Sequence, residues 1–292
     1  MNGDDRLYRF HQHPGYEEPV LVVYLDGWID AGLGATAAMA SLVSTVPTDV
    51  VATFDTEILL DYRARRPTLR IVDGVNTGLA WPEIQVRGGQ DRAGHGLFLL
   101  VGPEPDHRWH GFVDAVVGLA GELDVRLAVG LGAFPAPVPH TRPAQLVATA
   151  SSPELAQQVG FVGGSIEVPA GIQSALEQAF TAAGIPAVTL WARVPHYVAT
   201  MSYPAASAEL LDGLGRVAGL EVYTGELRKA ADETRARLDG LVAGNDEHVA
   251  LVRQLEAQAD AAESASAFGT DLPSGDELAA EIQRFLHDEG RG

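Results

Sequence analysis

The 292-residue sequence contains no cysteine and only one lysine, Lys229. Without cysteine the chain can form neither a disulfide nor a thiolate metal site. Cations are scarce as well, because 20 lysines and arginines face 39 acidic residues and give a formal net charge of −19. Nucleic-acid affinity depends on cations that replace condensed counterions, so nucleic acids and acidic membranes are poor partners for this chain.

Long apolar runs are also missing. No stretch approaches the roughly 20 residues that cross a membrane. The N-terminus, MNGDDRLYRFHQHPGYEEP, has no cationic start and no apolar core of a leader segment. We therefore expect a cytoplasmic protein with no membrane partner. Apolar residues make up 46% of the chain, which is enough for one large core, or for a core with a satellite of roughly 50 to 100 residues.

Strand and helix patterns alternate through the first three quarters of the chain. The apolar run at 20–25 predicts a buried strand, and Asp30 stands where the N-cap of the following helix belongs. Asp106 is predicted to cap a second helix in the same way. Further strands are predicted at 49–54, 97–102, 125–134 and 187–194, a pairing strand at 145–150, and an inserted hairpin or meander at 69–73 and 79–86. This order predicts a mostly parallel, mixed α/β sheet with helices on both faces.

The composition changes at residue 224. Residues 224–263 are rich in Ala, Glu, Arg and Leu and contain no proline, which predicts a helical hairpin that breaks at Gly244 and Asn245. A short final helix is predicted at 276–287. We therefore divide the chain into an α/β domain at 1–223 and a helical extension at 224–292. The apolar stripes of the hairpin would pack on the body, on each other or on another subunit.

The loops that leave four predicted parallel strands carry polar side chains. They are Asp26, Trp28, Asp30, Glu104, His140, Arg142 and His196. Because ligands bind outside the carboxyl ends of parallel strands, we expect these residues to line one cleft. Two of these residues also have simpler structural roles as alternatives to ligand binding. Glu104 would lie in a solvated turn between prolines, and Arg142 would form a structural salt bridge or bind a ligand.

Catalytic and cofactor signatures are weak. GLGATA, at 32–37, matches a dinucleotide-binding pattern, but six residues separate it from the strand, and Asp26 and Asp30 would repel a pyrophosphate. The chain has no GxSxG and no HExxH motif, so we predict no cofactor and no metal. A local basic island contains Arg63, Arg65 and Arg66. It would neutralise the acidic corner at 26–34, contact a subunit, bind an anion or remain solvated.

Four short motifs occur in order between residues 26 and 143: DGWIDAG, DYRARRP, GPEPDHRW and PHTRP. Together they resemble the PAC2 family, the proteasome assembly chaperone 2 relatives of archaea and actinobacteria, and LWARVPHYV with PAASAELL extends the resemblance to about Leu220. The resemblance implies a phosphorylase/hydrolase-like α/β fold and self-association into homo-oligomers. It also implies proteasome subunits as possible partners. Some archaeal relatives use a hydrophobic–tyrosine–any tail, whereas this chain ends in HDEGRG, so docking by that route is not expected.

Three functional hypotheses follow. The first is an oligomeric chaperone or assembly factor. The second is a small-ligand-binding protein or enzyme that uses the cleft around Asp30 and Arg142. The third is a structural oligomer built through the helical hairpin.

Overall fold

The computed structural model describes residues 7–165 and 167–267. The strands are β1 (Tyr8–Phe10), β2 (Val20–Asp26), β3 (Thr48–Phe54), β4 (Thr68–Val72), β5 (Val75–Ala80), β6 (Gln85–Gln90), β7 (Gly96–Pro103), β8 (Leu127–Ala136), β9 (Leu146–Ala150) and β10 (Ala187–Pro195). The α-helices are α1 (Gly34–Thr45), α2 (Thr56–Leu59), α3 (Trp109–Glu122), α4 (Pro153–Val159), α5 (Ile172–Ala182), α6 (Pro204–Ala218), α7 (Gly225–Ala243) and α8 (Asp246–Ala267). Two 3-10 turns, Ala31–Leu33 and His196–Val198, follow β2 and β10.

Eight strands form one mixed sheet in the order β1-β3-β6-β7-β2-β8-β10-β9. The four central strands, β7, β2, β8 and β10, run parallel to one another. The flanking strands pair antiparallel. The predicted fold class is confirmed, including the parallel pairing of the four strands whose exit loops carry the candidate residues. Strands β1 and β6 were missed, because β1 is three residues long and β6, QVRGGQ, is polar and glycine-rich.

Each face of the sheet is covered by helices. On β2, Val20 and Val22 belong to the core beneath α1 and α6, whereas Leu21 and Val23 belong to the core beneath α3 and α5. Successive side chains of a strand point to opposite faces, so one continuous apolar run supplies both cores. This arrangement brings the N-termini of α1 and α5 close to the carboxyl ends of the central strands.

The helical hairpin forms as predicted between residues 225 and 267. Helix α7 packs on α6, and α8 packs on α7. Leu238 of α7 is buried, and so are Val252 and Leu255 of α8, whereas Leu241 is 63% exposed and lies outside the buried stripe. The Asn245 carboxamide oxygen accepts the backbone N–H of Glu247 at 2.8 Å. This bond caps the start of α8 and explains why the two helices separate at that position. The predicted helix at 276–287 lies outside the described residues, and the domain boundary at 223/224 stays a prediction.

Strands β4 and β5 form a separate two-stranded sheet, and every residue from 68 to 80 is exposed. We call residues 68–80 the arm. The hairpin was predicted, but its second strand was placed wrongly, because 79–86 spans the end of β5 and the start of β6. Within the described residues, no helix is long and apolar enough to cross a membrane.

Candidate functional site

The carboxyl ends of the central strands hold a small crevice. Trp28, Asp30, Glu104, Gly171 and Gln173 are among the residues that line it. Its free volume is about 30 Å³, which is about the room of one water molecule and far below the roughly 300 to 1,000 Å³ of a small-molecule site.

Asp30 holds the start of helix α1. Its carboxylate accepts the backbone N–H groups of Ala35 (2.8 Å) and Thr36 (2.9 Å), and also the Thr36 hydroxyl (2.6 Å). The Tyr24 hydroxyl donates to the same carboxylate at 3.2 Å. Burial, more than the neighbouring Asp30 charge, raises the pKa of Tyr24, so this phenol keeps its proton. A carboxylate in this position satisfies two free N–H groups and complements the helix dipole.

The glycines of GLGATA have packing roles. Gly32 has a φ of 65°, and a Cβ there would lie 2.8 Å from the Cβ of Tyr203. A Cβ on Gly34 would lie 2.9 Å from that of Ala133. The 3-10 turn before α1 therefore sits directly on β8 and on the segment before α6. Close packing explains the motif without a bound phosphate.

Glu104 performs the same task for helix α5. Its Oε1 accepts the backbone N–H of Ile172, the first residue of α5, at 2.6 Å. Its own N–H donates to the Asp26 carbonyl at 2.7 Å. Glu104 is only 8% exposed, so its predicted place in a solvated turn is wrong. Trp28 lies beside this contact, because a Cβ on Gly171 would be 3.0 Å from the indole Cδ1.

Arg65 joins two of the sequence motifs. Its Nε donates to both carboxylate oxygens of Asp106 at 3.2 Å, and its Nη1 donates to the Asp26 carbonyl at 3.3 Å. Asp106 also accepts the N–H of Asp61 at 2.9 Å. The predicted cap of α3 by Asp106 is therefore wrong, and α3 begins after Arg108 without a side-chain cap.

The neighbouring arginines behave differently from Arg65. Arg63 and Arg66 are exposed, and within the described residues neither forms an ion pair. Within the basic island, Arg65 pairs with the Asp106 carboxylate, and the other two positive charges face outwards.

The PHTRP segment binds the helical hairpin. Arg142 donates through Nε and Nη2 to the two carboxylate oxygens of Asp260, at 2.7 and 2.8 Å, and through Nη1 to Glu256 at 3.2 Å. Hydrogen bonding to Asp260 raises the pKa of the Arg142 guanidinium. The Thr141 hydroxyl donates to Glu256 at 2.6 Å. Of the two predicted roles for Arg142, the structure shows the salt bridge.

His140 is buried between the body and α7. Its Nδ1 lies 2.7 Å from the Tyr197 hydroxyl, and its Nε2 lies 3.2 Å from Oδ1 of Asp239. The Tyr197 hydroxyl accepts the His140 backbone N–H, so it can donate to Nδ1 while Nε2–H donates to Asp239. His196 is exposed, and its ring centroid lies 5.4 Å from that of Tyr197.

The structure thus divides the predicted cleft into two clusters. Trp28, Asp30 and Glu104 line the crevice, whereas His140 and Arg142 attach the helical hairpin. Asp26 lines a neighbouring groove instead. No group of His, Asp and Glu side chains within residues 7–165 and 167–267 is arranged to hold a metal ion.

The loop between β2 and α1 also exposes apolar side chains at this end of the sheet. Trp28 is 53% exposed, Leu33 is 52% exposed, and Ile29 between them is 39% exposed. We call these three residues the end patch. Large apolar side chains clustered in one loop are typical of an interaction surface. The sequence prediction selected Trp28 as a polar-cleft residue and overlooked Ile29 and Leu33, although the WI pair inside an acidic loop was the available signal.

Solved structures with the same fold include proteins linked to proteasomes. A protein of unknown function from Mycobacterium tuberculosis matches with a TM-score of 0.83 and 34% identity, covering 90% of this chain and 94% of that chain. A proteasome-assembly chaperone homologue from M. tuberculosis matches with a TM-score of 0.73 and 35% identity, over 80% and 99% of the two chains. PbaB, an archaeal proteasome activator from Pyrococcus furiosus, shares the fold at 15% identity, with a TM-score of 0.62 and coverage of 80% and 97%.

The fold is therefore the mixed α/β fold of proteasome-related chaperone homologues. The PAC2 family profile matches residues 24–242. The chain belongs to the PAC2 family, as its four motifs predicted, and its structural relatives include actinobacterial members. No curated protein matches this chain.

Proposed function

We propose that this protein is a cytoplasmic, self-associating assembly factor that binds other protein subunits through its surface. The observation that carries the proposal is the contrast at the carboxyl end of the sheet. The crevice has room for about one water molecule, and two of its acids hold helix N-termini. Beside it, the end patch presents three apolar side chains to solvent. Such a site is suited to contact with a protein.

We propose proteasome ring subunits as the partners. A relative with 35% identity over 80% of this chain is a proteasome-assembly chaperone homologue, which supports this choice. An apolar patch suits an assembly factor, because ring subunits expose apolar interfaces before they assemble. The net charge of −19 limits nonspecific contact with acidic proteins, so the patch contributes attraction and the remaining surface contributes selectivity.

The test is capture of purified proteasome ring subunits by the full-length protein. We expect a complex that co-migrates on size-exclusion chromatography, and lower affinity in the double variant Ile29→Ser/Leu33→Asn. Asparagine suits position 33, because Leu33 has a φ of 53° and Asn tolerates the left-handed region. The matched control is Leu241→Ser, which removes an exposed leucine from the helical hairpin.

A loss of affinity of about tenfold or more is expected for the double variant, since apolar anchors at an interface contribute about 1 to 2 kcal/mol each. The control should bind like the wild type. If the wild-type protein captures no ring subunit, or if the control loses as much affinity as the double variant, the proposal fails.

A further inference from the structure

Leu33, in the end patch, combines two features that are each unfavourable in the isolated protein. Its side chain is 52% exposed, and its backbone has a φ of 53°, in the left-handed region that residues other than glycine rarely adopt. Within the described residues, the remaining non-glycine residues with positive φ all carry charged side chains: Glu18, Asp73, Arg108 and Asp124. Residues held in rare backbone conformations cluster at functional sites. An exposed leucine in this conformation therefore indicates that its side chain is used.

The chain before Leu33 is fixed to the segment that leads into α6. The Gly32 N–H donates to the Ala199 carbonyl at 2.7 Å, and the Gly32 carbonyl accepts the Tyr203 N–H at 2.8 Å. Gly32 itself has a φ of 65°, and a Cβ at this position would lie 2.8 Å from the Cβ of Tyr203. Two consecutive left-handed residues thus turn the chain tightly, and the turn has both of its central backbone groups bonded.

The chain after Leu33 is fixed as well. The Leu33 N–H donates to the Asp30 carbonyl at 3.2 Å, and the Asp30 carboxylate accepts the N–H groups of Ala35 and Thr36. A side chain on a backbone that is already ordered loses less conformational entropy when it binds. Leu33 is therefore presented to solvent in a preorganised position.

The crevice beside the end patch cannot receive a side chain from a partner. Its free volume is about 30 Å³, the room of about one water molecule. A contact at the end patch must therefore place Leu33 in a hole that belongs to the partner. A folded protein has pockets of fixed shape, whereas an unfolded chain has none.

We infer that Leu33 is the anchor of the end patch, and that it inserts into a preformed apolar pocket of leucine size on a folded partner. The inference rests on the proposed function and specifies the partner, which binds as a folded ring subunit and not as an unfolded chain. A close-packed pocket discriminates by volume and shape. The measurable consequence is that both smaller and larger side chains at position 33 weaken binding.

The first test varies the side chain at position 33 and measures the dissociation constant for purified ring subunits by biolayer interferometry. Leu33→Gly should raise it about fivefold or more, the level that marks an anchor residue. Leu33→Phe should raise it by a similar factor, because a larger ring overfills the pocket. Leu33→Met conserves the volume and should stay within about threefold of the wild type. The matched control, Leu241→Phe, enlarges an exposed leucine of the helical hairpin and should bind like the wild type.

Urea unfolding separates binding from folding in these variants. Glycine adopts the left-handed region without strain, and this gain offsets the contacts of a half-exposed side chain. The urea midpoint of Leu33→Gly should therefore equal or exceed that of the wild type while its affinity falls. A lower midpoint together with the loss of affinity would show that Leu33 supports the loop, and would overturn the inference.

The second test asks which state of the partner binds. An excess of reduced, carboxymethylated α-lactalbumin, a permanently unfolded protein, should not displace folded ring subunits from the wild-type protein. Displacement would overturn the inference, because an unfolded chain would then occupy the end patch.

The inference and the proposed function fail in different ways. If Leu33→Phe binds as tightly as the wild type or more tightly, while Ile29→Ser/Leu33→Asn loses affinity, the end patch is an apolar surface without a matching pocket on the partner. The inference then fails and the proposed assembly function stands. If the wild-type protein captures no ring subunit, the proposed function fails and the inference falls with it.

Discussion

Replacing Glu104 tests whether the acids of the crevice are structural. In Glu104→Ala, the backbone N–H of Ile172 loses its 2.6 Å acceptor at a buried position. A buried donor without a partner costs about 1 to 3 kcal/mol. Removing a carboxylate from a helix N-terminus costs a further 0.3 to 1 kcal/mol, approximately. We therefore expect the free energy of unfolding to fall by about 1.3 to 4 kcal/mol.

Glu104→Gln separates the hydrogen bond from the charge. The amide oxygen can still accept the Ile172 N–H, so only the charge interaction with α5 is lost. We expect a cost of about 0.3 to 1 kcal/mol for this variant. Glu233 is exposed on α7, and Glu233→Ala should stay within about 0.5 kcal/mol of the wild type.

The assay is urea unfolding followed by circular dichroism, with the slope of the transition compared between variants. The expected order of stability is wild type, Glu233→Ala, Glu104→Gln and then Glu104→Ala. If both Glu104 variants unfold within about 0.5 kcal/mol of the wild type, which is the range of ordinary surface changes, Glu104 does not hold α5 and would be free for chemistry.

Three further predictions concern pH, the helical hairpin and ligands. Burial raises the pKa of Asp91, but hydrogen bonds from the Glu221 and His95 backbones and from the His95 ring outweigh it and lower the pKa below its ordinary 3.8. The stabilisation by the ionised Asp91 carboxylate is present above the unfolded pKa and is lost as pH falls through the folded pKa. The stability difference between wild type and Asp91→Asn should therefore shrink from pH 7 to pH 3. A constant difference in urea midpoints would contradict this. Arg142→Ala should speed amide hydrogen exchange in α8, which contains Asp260, and leave exchange in β2 unchanged; equal acceleration in both would show global destabilisation instead. Because the crevice has room for about one water molecule, a thermal-shift screen of nucleotides, nucleosides and divalent metals should leave the melting temperature unchanged. Stabilisation by one of these compounds that disappears in Glu104→Gln would contradict this prediction and support the ligand hypothesis.

Local sequence patterns predicted the parts of the fold that depend on local physics. The apolar run of β2 indicated a strand covered on both faces, and Asp30 lies close enough in sequence to reach the first turn of α1. The break at Gly244 and Asn245 was equally local. In each case the residues that determine the structure lie within a few positions of one another.

Contacts between distant segments could not be predicted from these patterns. Glu104 reaches Ile172 across 68 residues, and the Asp106 carboxylate pairs with Arg65 across 41 residues instead of capping α3. Arg142 was correctly given a salt bridge as one option, but its partner Asp260 lies 118 residues away. The exposure of the arm is also a tertiary property, because its β-branched and leucine residues are equally compatible with a buried hairpin.

The most direct test of the account compares crevice and end patch in one capture experiment with ring subunits. Glu104→Gln changes the crevice and leaves the end patch intact, whereas Ile29→Ser/Leu33→Asn changes the end patch and leaves the crevice acids intact. We predict that Glu104→Gln binds ring subunits like the wild type and that the end-patch variant binds about tenfold more weakly. The opposite result, loss of capture in Glu104→Gln with normal capture by the end-patch variant, would contradict it.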